Sequence, residues 1–213
     1  MARRGKHRRA QGGRNRNYRD RRADRQETVQ RFLIVCEGSK TEPNYFRRFR
    51  VPELIVDVKN PSNNPRKLVD KALAVREQGE YDQVWCVFDR DDCDVGEFNS
   101  VIQRAESQGV HVAYSNQAFE LWYLLHYHFY NAPMHRVDYA EKLSEQLSRT
   151  YRKNDIHMFD ELHPMQSTAV RNAKLLLQQY SPRNPGTDDP STTVHLLVRE
   201  LNRFLPENRK NIA

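Results

Sequence analysis

The sequence is poor in whatever staples or anchors a chain. Its 213 residues include only three cysteines, Cys36, Cys86 and Cys93. They form no CxxC pair and have no Cys/His ligand spacing, so neither a disulfide framework nor a zinc finger is indicated, and a reducing cytoplasm is the expected setting. Cys36 and Cys86 fall inside apolar runs and read as small buried residues, not nucleophiles. The apolar runs are no longer than a strand, and no h-region follows the Arg-loaded N-terminus, so neither membrane insertion nor secretion is expected. No internal repeat is found. The string Gly38-Ser39-Lys40-Thr41 resembles the end of a phosphate loop. The upstream glycine is missing and Cys36-Glu37 occupies its approach, which argues against an ATPase. His126 and His128, two apart on a predicted helix, face different ways and make no zinc pair.

What is abundant is charge, with an excess of one sign. Lys and Arg number 35 against 28 Asp and Glu, a net charge of +7 and a pI of about 9.4, a balance that favours polyanionic partners such as RNA or DNA. Twelve of the basic residues and only three acidic ones lie in residues 1–31. That stretch has almost nothing apolar to bury and reads as a flexible arm, either in contact with phosphates or simply solvated.

From Phe32 the pattern becomes that of an α/β domain. Phe32–Cys36 is a continuous apolar run, as in a strand covered on both faces. A helix follows to about Arg50, with Ser39 or Thr41 as its cap and Pro43 in its first turn. Further strands are predicted at Leu54–Lys59, at 83–89 and at Val110–Tyr114. Between them lie a loop at 60–65, a helix carrying Leu68, Val69, Ala72 and Val75, and another carrying Phe98, Val101, Ile102 and Ala105. The alternation implies a parallel sheet of about four strands flanked by helices. From Gln117 onward the chain reads as helical, with helices near 138–151, 165–180 and 191–205. Ser191–Thr193 would cap the last of these. The expected division is thus a basic arm at 1–31, an α/β core at 32–116 and a helical portion at 117–213. The aromatic residues Phe119, Trp122, Tyr123, Tyr127, Phe129 and Tyr130 read mostly as core.

Glu37 and Asp89 each end an apolar strand, where open parallel sheets place their ligands. In Phe88-Asp89-Arg90-Asp91-Asp92, period-two geometry points Asp89 and Asp91 the same way, and Glu37 on a neighbouring strand completes an acidic cluster. Such a cluster suits a hard divalent cation, Mg²⁺ or Mn²⁺, with Glu37 as a ligand or as a general base. The bland alternative is a polar loop at 89–94 that only caps the next helix. Lys40 adjoins the cluster and could meet a phosphate, whereas Arg90 points away from Asp89 and reads as structural. His126 could approach the site as an acid.

The order of an apolar strand with Glu-Gly, a βα unit, then an apolar strand with Asp-x-Asp resembles the Toprim domain of topoisomerases, primases and certain nucleases. Val35-Cys36-Glu37-Gly38-Ser39-Lys40-Thr41-Glu42-Pro43-Asn44-Tyr45-Phe46, Phe88-Asp89-Arg90-Asp91-Asp92, Ser115-Asn116-Gln117-Ala118-Phe119-Glu120-Leu121-Trp122 and Ser191-Thr192-Thr193-Val194 resemble the RloB family, Toprim-like proteins linked to restriction loci and phage defence. The resemblance implies a Toprim fold and a metal-dependent phosphodiesterase cutting RNA, tRNA for example, or DNA. It implies Glu37, Asp89, Asp91 and Glu120 as catalytic residues and Glu37, Asp89, Asp91 and Asp92 as metal ligands. Lys40, Arg47, Arg48 and Asn116 are the candidate contacts to nucleic acid. Glu120 could equally serve only the N-terminus of its helix. The alternative function is a nucleic-acid-binding or scaffold subunit, beside a partner ATPase or other defence protein, that does not turn over alone.

Overall fold

The computed structural model describes residues 30–58 and 64–205. The predicted basic arm up to residue 29 and residues 60–63 of the predicted 60–65 loop lie outside them.

β1 (Phe32–Cys36) follows directly from its sequence, since all five residues are apolar and fully buried. Alternation divides them between two cores: Phe32, Ile34 and Cys36 face one, Leu33 and Val35 the other. A strand with apolar residues on both sides must be covered on both sides, and here it is central. The sheet order is β2-β1-β3-β4-β5, with β2 at Leu54–Val58, β3 at Gln83–Asp89, β4 at His111–Asn116 and β5 at Ser191–Thr192. The first four strands are parallel, as expected. The fifth was not foreseen. β5 pairs antiparallel with the end of β4, Thr192 opposite Ser115 and Ser191 opposite Asn116, so residues expected only to cap a helix close the sheet edge first.

One face carries α2 (Pro65–Arg76) and α3 (Val95–Ser107), which bury Leu68, Val69 and Ala72, and Phe98, Val101, Ile102 and Ala105. Both start on side-chain caps. The Asn64 carboxamide oxygen accepts the Lys67 N–H at 3.1 Å, and Asp94 Oδ1 accepts those of Gly96 and Glu97 at 2.9 and 3.1 Å. The bland reading of the 89–94 loop is therefore right for Asp94.

The other face carries α1 (Thr41–Phe46), α4 (Glu120–Leu124), α5 (Arg136–Leu147), α6 (Met158–Leu162), α7 (Gln166–Leu177) and α8 (Val194–Arg203). They share one apolar core with Phe32, Ile34 and Trp85 of the sheet, and Phe119, Trp122 and Tyr123 are buried within it. The residues after 117 thus form one of two covering layers. Phe129 is the exposed member of the aromatic group, at 40%. α1 is shorter than expected. It stops at Phe46, because Phe49 and Val51 turn inward and Pro52 disfavours helical backbone at the residue before it. Its N-cap position is Lys40, without a side-chain cap, so neither Ser39 nor Thr41 has the expected role. α4 is a five-residue helix in place of the long one expected from Gln117, whose own φ is +75°.

Candidate active site

The chain leaves β1 for β2 on one side and returns to β3 on the other, so the topological switch lies between β1 and β3. Crevices at such switches, beyond the C-terminal strand ends, are where open α/β sheets bind ligands. Cys36 registers with Val87, and the Glu37 N–H donates to the Val87 carbonyl at 2.9 Å, which brings Glu37 beside Asp89 at the mouth of the crevice. There a cavity of about 200 Å³ opens, walled by Glu37, Glu42, Asp89, Asp91, Glu120 and Lys153 and by the loop 38–41.

Five carboxylates in one wall repel one another, and Asp89, Glu37 and Glu42 record it. Asp89 Oδ2 accepts the Phe119 N–H at 3.0 Å, while its Oδ1 is buried without a partner. Burial first, and then Glu42, Glu120 and Asp91, hold the Asp89 carboxyl well above its usual range. Glu37 is raised to about 7 by burial and by the charges of Asp91 and Glu42. Glu42, 5% exposed, is also raised, chiefly by burial and further by Glu120. Glu120, 3% exposed, accepts a hydrogen bond from the Tyr151 hydroxyl at 3.0 Å, and Lys153 Nζ stands 3.9 Å from the same oxygen.

Asp91 reaches the wall by a route other than the one expected. β3 ends at Asp89, and Asp91 has φ +45°, a left-handed conformation that costs a non-glycine residue about 1 kcal/mol. The turn, and not strand alternation, aims it at the crevice. On its outer side Asp91 pairs with Arg136 of α5 at 3.2 Å, and the same guanidinium pairs with Asp92 at 2.7 Å. The Asp92 side chain is 82% exposed and is absent from the wall of this cavity, but it lines an adjoining cleft that shares Glu37, Asp89 and Asp91 with it.

Among the described residues no three His, Cys, Asp or Glu side chains form a finished metal-ligand set. The donor chemistry nevertheless fits a hard cation. It is all oxygen, one buried carboxylate oxygen lacks any partner, and a divalent ion would relieve the repulsion that raises Glu37, Glu42 and Asp89.

Of the other candidates, Lys40 lies in the cavity wall, Arg47 is on the exposed surface, and Arg48 is paired with Asp160. Asn116 is fully buried, and its Nδ2 donates to the carbonyls of Pro185 and Asp188 at 3.1 and 3.0 Å. It braces the approach to β5, with its amide nitrogen engaged. Asn116→Ala would strand two carbonyls and is expected to cost about 2 kcal/mol, measurable by urea denaturation. Arg90 ties β3 to β4 through its N–H, which donates to the Ser115 carbonyl at 3.0 Å. His126 is buried, its Nδ1 is 2.9 Å from the Trp122 carbonyl oxygen, and it is absent from the cavity wall.

Sequence reasoning missed Glu42 and Lys153. Glu42 resembled an ordinary first-turn acid of a helix. Its signal was Gly38, where an added Cβ would come within 2.2 Å of Glu42 Oε2, so the Glu-Gly step leaves room for this carboxylate. Lys153 sits between α5 and α6 and carries no local signal.

A family model described as RloB-like protein matches residues 32–201, a span that contains every carboxylate of the cavity. No curated protein and no solved structure matches the chain.

Proposed function

The chain belongs to the RloB-like family, and we propose that it is a Toprim-type, divalent-cation-dependent nuclease that hydrolyses phosphodiester bonds in RNA, such as tRNA, or in DNA. We place it in the cytoplasm and in phage defence, which is what its resemblance implies. The observation that carries the reading is the set of five carboxylates around one cavity at the β1/β3 switch point, within a chain of net positive charge. Among the described residues no helix is long and apolar enough to cross a membrane.

Asp89 and Asp91, with Glu37 in the same wall, would hold Mg²⁺ or Mn²⁺. When bound, such an ion neutralises the carboxylates and stabilises the negative charge that builds on the phosphate. Glu37 manages the proton. Its carboxyl, raised in the ion-free site by burial and by Asp91 and Glu42, is the group placed to take a proton from attacking water. Lys153 and Lys40, the cations of the wall, meet the non-bridging phosphate oxygens. Tyr151 fixes the Glu120 carboxylate by its hydrogen bond, and Phe119 fixes that of Asp89.

The test is incubation of the purified protein with total RNA and with single- and double-stranded DNA, with Mg²⁺, with Mn²⁺ and with chelator. Glu37→Ala and Asp89→Ala run in parallel. Metal-dependent cutting by wild type, lost in both variants while binding persists, is the expected result. Wild type and variants that bind equally and cut nothing would sink the enzymatic reading and leave a binding or scaffold subunit.

A further inference from the structure

A separate cavity of about 330 Å³ lies at the β5 edge of the molecule, between the end of α7, the 180–183 stretch and the first half of α8. Its wall includes Lys174, Tyr180, Arg183, His195, Leu196 and Arg199. Three of these six carry positive charge. Several basic side chains of the described surface find acids, among them Arg48, Arg104, Arg136, Arg149 and Arg203. Among the described residues Lys174, Arg183 and Arg199 form none. The acid that Arg183 feels is Asp188, which is buried and whose Oδ2 accepts the Asn184 N–H at 2.8 Å.

The three cations converge on one ring. His195, 3% exposed, is lowered to about 4, mainly by burial and further by Arg199, Arg183 and Lys174, with a contact to the Thr192 backbone opposing them. A neutral imidazole among three unpaired cations is an arrangement that an anion would complete. The anion would bring charge to the cations and let the ring become a donor. The Tyr180 hydroxyl of this wall already donates to the Pro190 carbonyl at 3.0 Å, which leaves Gln178 and the three cations as its free polar groups. Three unpaired cations on one wall suit the oxygens of phosphate. β5, just before α8, lies two strand spacings from β3, about 10 Å across the sheet.

We propose that Lys174, Arg183 and Arg199, grouped around His195, form a phosphate-binding subsite that grips the nucleic-acid backbone at a distance from the bond processed in the carboxylate cavity. The source of the phosphate rests on the nucleic-acid reading above; the anion site rests on this cavity alone.

The experiment compares the full-length protein with a Lys174→Gln, Arg183→Gln, Arg199→Gln variant, all in chelator so that no cleavage enters. Binding of a short fluorescent RNA is followed by anisotropy over a range of salt, and binding of inorganic phosphate by calorimetry. The three side chains make no ion pair, so the variant should melt as wild type does. RNA affinity is expected to fall about tenfold or more, and the slope of log K against log salt by about three, one for each cation. On addition of phosphate, the His195 ring resonances of wild type should move toward the protonated form, a change that a purely structural histidine would not make. Unchanged RNA binding together with phosphate binding lost in the variant would keep the subsite and assign it to free phosphate. RNA and phosphate binding both unchanged would overturn the proposal, whatever the outcome for nuclease activity.

Discussion

Asp89→Asn is expected to give a protein that is harder to unfold than wild type and that no longer cuts nucleic acid. The substitution keeps the shape of the side chain and retains an oxygen for the Phe119 N–H. It removes the charge that burial, Glu42, Glu120 and Asp91 all oppose. The amide NH₂ then stands where Oδ1 has no partner. In the absence of divalent ions at pH 8, relief of that repulsion should raise stability, read as an upward shift of the urea midpoint. Loss of a ligand oxygen should lower turnover about 10³-fold, since a bound metal supplies several kcal/mol of transition-state stabilisation. Opposite movement of stability and activity is the mark of a residue retained for chemistry. If Asp89→Asn instead destabilised the protein and cut as well as wild type, the carboxylate would be a structural acceptor and the cavity would need another role.

The same repulsion makes stability depend on pH in an unusual direction. Glu37 loses its proton near 4.5 in an unfolded chain and near 7 in the folded one. Between those values the native state holds a proton that the unfolded state has given up, so stability falls as pH rises from about 4.5 to about 7 and stays lowered above that. Glu37 alone accounts for about 3 kcal/mol of this decline, and Glu42 and Asp89, also raised, act in the same direction. Melting curves in chelator should therefore show a more stable protein at pH 5 than at pH 8. Mg²⁺ should reverse the loss at pH 8, by about 2.7 kcal/mol at a hundred times its Kd, and change little at pH 5, where protons occupy the carboxyls. A melting temperature that ignores Mg²⁺ at both pH values would count against a cation at this site.

What the sequence disclosed depended on how local its cause was. β1 and β3 were legible to the residue because a strand buried on both faces must be continuously apolar, and Phe32–Cys36 and Val84–Phe88 are. Glu37 and Asp89 were legible with them, because the end of such a strand is a defined place in an open sheet. Asp91 was found for the wrong reason, since its left-handed backbone leaves no trace in residue order. β5 is two hydroxyl residues long and held by contacts 77 to 81 residues away, including Tyr114 N–H to Thr193 Oγ1 at 2.9 Å. Nothing in Ser191-Thr192 distinguishes that partner from a helix cap. Glu42 and Lys153 likewise meet the cavity only through tertiary packing.

The antiparallel strand also has a consequence for biosynthesis. Ser191 and Thr192 pair with Asn116 and Ser115, and Ser115 registers with Asp89. During translation the sheet edge beside the acidic crevice therefore stays open until residue 192 has cleared the ribosome. A nascent chain stalled before that point carries all five carboxylates but lacks the strand that braces their platform, so the crevice takes its final shape only once residues 191 and 192 have been made.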